Sequence, residues 1–450
     1  MMPTFTGPER VTARTLLTAF GITSAAALVA CHIGSGYRVG GVVTGLRGSG
    51  LVIQDNSGNS LTVTANGGFQ FSSGIDKGGT YSVTVSTQPS KPSQTCIVHN
   101  GSGTIDNADI TNVIVACNRA GLVAYAVNQG SNSISGYAIA SSGALVPLSG
   151  SPYAATGTTP VAAVVDPDGV YLYVVNNASN TLSIFAIDPA TGALSSASEP
   201  VPTGNGPFAV LVDPANQFVY VANKTDDTVS VYQIQNGTAL AVSGSPYAVG
   251  REPTSLAMDP GGNFLYVTNY ADGTVSAFSV EAGAGLLTPL GGSPFGAAQG
   301  ALRIAIDPTG SLAYVANEVS HNLSGYSLNP STGTLSALSG FPLATTTSPE
   351  AIAFDPGGRF ALVANVTATN DVASYVIAPS TGALTLSGTA NTGNFPLDIA
   401  LTPSGAYAYI ADELSGTLSG YSVDATTGAL TAVPGSPFAA GADPRSIAID

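Results

Sequence analysis

Residues 259–280 read DPGGNFLYVTNYADGTVSAFSV, and the fold follows from this stretch. Asp-Pro-Gly-Gly is a turn, because proline presets φ and glycine takes the left-handed position. Two runs of strand length follow, LYVTN and TVSAFSV, rich in β-branched and aromatic residues. The pattern recurs along the chain. AYAVN ends at Asn128, LYVVN at Asn176, VYVAN at Asn223, LYVTN at Asn269, AYVAN at Asn317, ALVAN at Asn365 and AYIAD at Asp412. Seven copies at a period near 47 residues define a repeat architecture.

Each copy has room for four strands. A first strand precedes each copy from the second onward (VAAVVD, FAVLVD, TSLAMD, LRIAID, EAIAFD, LDIALT), followed by a turn and the LYVxN strand. A third strand runs into a second turn, such as DPATGAL at 188 or NPSTGTL at 329, and a weaker fourth strand enters GSPY or GSPF. Four-stranded units of this size are the blades of a β-propeller. The first copy lacks its first strand, and the chain ends in one, DPRSIAID. The expected fold is therefore all-β: a seven-bladed propeller over 120–450, closed when the C-terminal strand completes blade 1. Closure removes an open sheet edge.

The LYVxN and TGxL patterns resemble the YVTN-type, lactonase-like seven-bladed propellers, a family that includes bacterial 6-phosphogluconolactonases. The resemblance covers about 120–450 and speaks to fold more than to activity.

Upstream, Arg10 and Arg14 precede an apolar run, LLTAFGITSAAALVA, too short to span a bilayer comfortably. It ends in Leu28-Val29-Ala30-Cys31, which resembles the lipobox of bacterial lipoproteins and implies lipidation at Cys31. Residues 1–31 thus read as an export signal, and the protein as lipid-anchored in the cell envelope. A plain secretory signal or an uncleaved anchor is the alternative. Residues 34–118 alternate apolar and polar over short runs separated by Gly, Asn and Ser, as in a small β-sandwich of about seven strands. This segment resembles the immunoglobulin-like or transthyretin-like modules of exported bacterial proteins. Cys96 and Cys117 are the cysteines left after Cys31, an even pair that argues for a disulfide in an exported protein. His99 with two thiols falls short of a structural zinc set, and no metal is expected.

Charged residues make up 9% of the chain, against roughly 25% in ordinary globular proteins. A net charge of −15 with 12 Lys and Arg argues against nucleic acid and against docking on anionic lipid. Membrane association would come through the lipid alone, and the chain is expected to be a monomer.

In an up-and-down blade, the loop entering strand one and the loop after strand two share a face, here the top. Its loops vary while the DPxG and TGxL turns of the other face repeat, and function sits on varied loops over a regular scaffold. Strand one lies nearest the axis. Its second position is mostly Ala or Ser but carries Arg303 and Asp398, and its first position carries Glu350 and Arg445. Arg251 and Glu252 stand just before blade 4, and the loops after strand two add Glu318, His321, Asp412 and Glu413. The candidate site is therefore Arg303, Asp398, Glu350 and Arg445 at the channel mouth, flanked by Glu318 and His321, with Arg251 nearby. Arginine forks suit a carboxylate or phosphate. The same residues can instead pair with one another and plug the channel. The Asn ending each strand two is expected to cap its own loop, and the DPxG Asp to serve its turn.

Lactone hydrolysis needs a base for water and a positive group for the oxyanion. The resemblance implies Glu, Arg and His in the channel for these tasks, which points to Glu350, Arg303 and His321. His321 lies on a loop, however, and no nucleophile elbow, metal motif, phosphate loop or dinucleotide fingerprint is present, so no cofactor is expected. The reading favoured by sequence is an envelope propeller that binds a small anionic or sugar-type ligand, or an envelope protein, at its top face without catalysis. The alternative is a lactonase-like hydrolase of a sugar lactone at the channel mouth. A purely structural or adhesive protein is the third.

Overall fold

The structure is a computed structural model. It describes residues 36–450, apart from 45, 47–48, 57, 91–93, 120, 189–190, 236, 346 and 367–369. The export signal at 1–31 and its Cys31 lie outside the described residues.

Residues 37–119 form two four-stranded sheets. Tyr37–Thr44 pairs with Gly67–Ile75 on one side and, in parallel, with Ile110–Arg119 on the other, which in turn pairs with Gln94–His99. Leu51–Asp55, Asn59–Val63, Thr80–Thr87 and Ser102–Thr104 make the second sheet. Val39, Ile53, Phe71, Val83 and Val113 are buried in one common core. Eight strands stand among the described residues of this segment, where the alternation marks about seven. Ser102–Thr104 is three residues of small polar type with every side chain exposed, so it carries no alternation to read. Cys96 and Cys117 sit opposite each other in the ladder and are joined as a disulfide.

From Val123 onward the chain makes seven antiparallel sheets, each one blade. Blade 4 is typical, with strands Pro253–Met258, Phe264–Asn269 and Thr274–Val280. Its fourth strand is broken: Leu287–Pro289 pairs with one half of the third strand and Phe295–Gly296 with the other. The break, at GGSP, leaves the Ala277 N–H without a ladder partner, and it donates instead to Ser293 Oγ at 2.9 Å. The corresponding serine serves Gly136, Val231 and Gly420 in other blades, so the donor left by the break is satisfied. Blade 6 lacks the GSP motif, and its fourth strand, Leu384–Asn391, runs on. Pro444–Ile449 closes the ring by pairing with Val123–Asn128, from Pro444 opposite Asn128 to Ile449 opposite Ala124.

Blades adhere through strand two. Tyr125, Tyr173, Tyr220, Tyr266, Tyr314 and Tyr409 are among the largest fully buried side chains. Four of them donate to a glycine carbonyl in the TGxL-type turn of the next blade: Tyr125 to Gly192, Tyr266 to Gly333, Tyr314 to Gly382 and Tyr409 to Gly143, at 2.6–2.7 Å. Gly333 has φ of +69°, and a Cβ there would lie 2.3 Å from the Phe264 ring, so only glycine serves.

The turn aspartates are structural. Asp355 Oδ1 accepts the N–H groups of Arg359 and Phe360 at 2.6 Å each, and Asp166, Asp213, Asp259 and Asp307 repeat the arrangement. The Asn at the end of strand two differs from expectation. Its amide reaches across the hairpin to hydroxyls of strand three rather than to its own loop backbone: Asn269 Nδ2 donates to Thr274 Oγ1 and Ser276 Oγ at 3.0 and 2.9 Å. Serine and threonine at strand-three positions one and three supply these acceptors in most blades; in blade 6 Asn365 donates to Asp371 instead.

Candidate functional site at the channel mouth

Every first strand contains a bulge at the same place. The register with strand two shifts between Pro160 and Ala162, Pro207 and Ala209, Pro253 and Ser255, Ala301 and Arg303, Pro349 and Ala351, Pro396 and Asp398, and Pro444 and Ser446. A bulge re-aims a side chain, and the extra residues are Val161, Phe208, Thr254, Leu302, Glu350, Leu397 and Arg445. A second ring comes from the residue that follows each strand-two Asn or Asp, which includes Lys224, Tyr270, Glu318 and Glu413. Backbone bonds fix that ring: the N–H groups of Lys224, Tyr270, Glu318 and Glu413 donate to the carbonyls of Gly206, Glu252, Gly300 and Phe395, each in the left-handed region just before strand one.

The two rings meet around Glu350. Its side chain is buried, 6% exposed. Burial, and then the Glu318 carboxylate, push its carboxyl up to about 7, while Arg303 and Arg445 pull the other way and Glu413 adds to the rise. Glu318 accepts the Tyr270 hydroxyl at 2.5 Å. Arg445 Nη1 donates to Glu413 at 2.8 Å, and its guanidinium lies 5.7 Å from the centre of the Phe208 ring. Lys224 Nζ lies 5.1 Å from the same ring and 5.3 Å from that of Tyr270, both within cation–π range. Blades 1, 3, 4, 5, 6 and 7 thus contribute to one cluster.

Not all the residues singled out from sequence join it. Arg303 and Glu350 act on each other through space, and the Arg303 side chain forms no ion pair or hydrogen bond among the described residues. Asp398 is not locked to Arg303. It accepts the N–H of Ile447 from the neighbouring blade at 3.1 Å and that of its own Ile399, so strand position two turns this carboxylate toward the adjacent ladder. Arg251 is turned to Asp272, Nε to Oδ1 at 2.6 Å, and is largely exposed. His321, with φ of +51°, sits on the blade 5 hairpin with Nδ1 3.2 Å from Ser348 Oγ, and among the described residues no hydrogen bond or ion pair joins it to Glu350. Asp412 lies inside blade 7, where it accepts the hydroxyls of Thr417 and Ser419.

Phe208 and Tyr270 were missed. The signal was present: Phe208 is the one aromatic residue at the bulge position, and Tyr270 the one aromatic residue directly after a strand-two Asn. Both read as strand formers rather than as a cage for Lys224.

Chemically, the mouth offers a buried carboxyl that exchanges its proton near neutrality, an arginine without a carboxylate partner beside it, and aromatic faces at the rim. A family model described as the seven-bladed β-propeller lactonase matches residues 80–211, 196–300 and 294–442. Among solved structures, a 6-phosphogluconolactonase candidate from Bacteroides uniformis superposes with a TM-score of 0.66 at 22% identity, over 74% of this chain and 100% of that one. Its counterpart from Bacteroides fragilis gives 0.66 at 20%, over 74% and 98%. The periplasmic gluconolactonase of Pseudomonas aeruginosa gives 0.60 at 18%, over 72% and 97%. Identities this low carry the fold alone. No curated protein matches the chain.

Proposed function

The chain belongs to the lactonase family of seven-bladed β-propellers, and from that premise we propose that it hydrolyses a lactone at the mouth of its central channel. One observation carries the reading: Glu350 is buried, its carboxyl is pushed up to about 7, and it faces Arg303, whose side chain has no ion-pair partner among the described residues. A base poised near the working pH combines the right protonation state with useful driving force.

In the proposed reaction, the Glu350 carboxylate accepts a proton from water as its oxygen attacks the lactone carbonyl carbon. Negative charge gathers on the carbonyl oxygen, and Arg303 stabilises it. The ring C–O bond then breaks. Glu350 returns its proton to the departing ring oxygen, and the product is an open-chain hydroxy acid. Arg445, held by Glu413, tunes Glu350 from the far side. The test is acid release from a panel of γ- and δ-lactones. Glu350→Gln is expected to lower kcat/KM by about 10²–10⁴-fold and Arg303→Ala by about 10²–10³-fold.

Binding without turnover is the second reading. It is favoured by His321, which bonds to Ser348 and makes no hydrogen bond to Glu350 among the described residues. Ligand binding by the wild type with no acid release, abolished by Arg303→Ala, would establish it instead.

For location, we place the propeller in the cell envelope, held by a lipid on Cys31. The leader composition of 1–31 and the Cys96–Cys117 disulfide support this, since disulfides persist in oxidising compartments. Fatty-acid labelling lost on Cys31→Ala, with release from the membrane fraction, is the expected result.

A further inference from the structure

Beside the mouth, between blades 3 and 4, lies a cavity of about 420 Å³ lined by Lys224, Thr225, Asp227, Arg251, Glu252 and Ala271, large enough for a small ligand. It adjoins the Glu350 cluster through Tyr270, whose hydroxyl reaches Glu318 and whose ring lies under Lys224.

The cations of this cavity are already matched. Lys224 Nζ is 3.4 Å from Glu252, and Arg251 Nε is 2.6 Å from Asp272, which also accepts the Arg251 N–H at 2.7 Å. Across the mouth, Arg445 is held by Glu413. A phosphate or carboxylate arriving here would meet cations whose charge Glu252 and Asp272 already neutralise, with the carboxylates of Asp227 and Glu252 in the lining itself, on a chain of net charge −15. A neutral polyol meets no such penalty. Its hydroxyls can accept from Lys224 and Arg251 and donate to Asp227 and Glu252, with aromatic faces at the inner edge. The arrangement serves selection against a competitor as much as attraction of a ligand.

We infer that this cavity is the subsite for the hydroxylated tail of an unphosphorylated, uncharged sugar lactone, and that Glu252 and Asp272 exclude the phosphorylated counterpart by holding Lys224 and Arg251. The inference rests on the hydrolase reading for its catalytic arm only.

The test compares kcat/KM for glucono-δ-lactone and 6-phosphoglucono-δ-lactone in the wild type and in the double variant Glu252→Gln, Asp272→Asn, with circular dichroism as the folding control. The wild type is expected to favour the neutral lactone at least tenfold. The double variant, with Lys224 and Arg251 freed, should move the ratio at least tenfold toward the phosphorylated one. A wild-type preference for the phosphorylated lactone overturns the inference, as does a ratio that the double variant leaves unmoved. If neither lactone is hydrolysed, the hydrolase reading fails separately, and calorimetry with glucitol and glucitol 6-phosphate decides the subsite. Tighter binding of glucitol by the wild type, reversed in the double variant, sustains it. Equal binding, binding of neither, or the opposite preference removes it.

Discussion

The Tyr266 hydroxyl of blade 4 donates to the Gly333 carbonyl of blade 5 at 2.7 Å, whereas the equally buried Tyr220 hydroxyl, one blade earlier, has no partner among the described residues. The receiving turns keep one spacing: NPSTGTL of blade 5 and EAGAGLL of blade 4 both place a left-handed glycine fifth, Gly333 and Gly285, with Thr332 replaced by Ala284. Tyr266→Phe should therefore cost about 1–3 kcal/mol, because it leaves a buried acceptor unmade. Tyr220→Phe removes an unsatisfied hydroxyl and should be neutral or stabilising by up to about 1 kcal/mol. Paired denaturation midpoints check this, and equal losses in both variants would refute the inter-blade role of the hydroxyl.

If Glu350 is the base, activity requires its carboxylate. Its proton affinity is raised from the ordinary carboxylate range to about 7 by burial first and Glu318 second. The expected kcat/KM profile therefore rises with pH through about 7 and then levels. Glu318→Gln removes the nearest like charge, so the rising limb should shift to lower pH. A limb that stays in place would separate Glu318 from the titration.

Asp412 stands where the other six blades have Asn. Five of those amides donate to strand-three hydroxyls and Asn365 to the Asp371 carboxylate; Asp412 instead accepts from hydroxyls. Burial raises its carboxyl to about 6. The unfolded value lies lower, near 3.9, so the folded state binds the extra proton and stability falls as pH rises from about 4 to 6. The gap of about two units corresponds to at most about 3 kcal/mol. Asp412→Asn should match the wild type at pH 4 and exceed it by about 1–3 kcal/mol at pH 8. Urea midpoints at the two pH values measure it.

The repeat made the blades legible, because a strand-two residue such as Tyr266 and a turn such as NPSTGTL recur at one spacing. Ring closure was legible from the unmatched ends at 120 and 450. Glu350 and Arg445 could be placed at the mouth because they are the charged residues at a repeat position that elsewhere carries Val161, Phe208, Thr254, Leu302 and Leu397. The pairings could not be read. Asp398 and Arg303 share a repeat position, yet one binds the next ladder while the other faces Glu350. Repeat position fixes height along the axis, not the direction of a long side chain. The Lys224 cage escaped for a related reason: Phe208 and Tyr270 come from different blades and different rings, and no sequence period links them.

The closing strand offers the last test. Pro444–Ile449 supplies the inner edge of blade 1, and Ile447 and Ala448 are buried against the flanking blades. Removing residues 444–450 would uncover the edge of Val123–Asn128, a strand whose six residues are all buried, and would take Arg445 from the mouth. An uncovered apolar edge is a template for pairing with another chain. The truncated protein is expected to elute as oligomers and to unfold well below the full chain. Ile447→Asp, which keeps the backbone ladder and spoils only the packing, should lower the midpoint without the oligomers. If the truncated chain stays monomeric and as stable as the full one, the ring does not depend on this strand for closure.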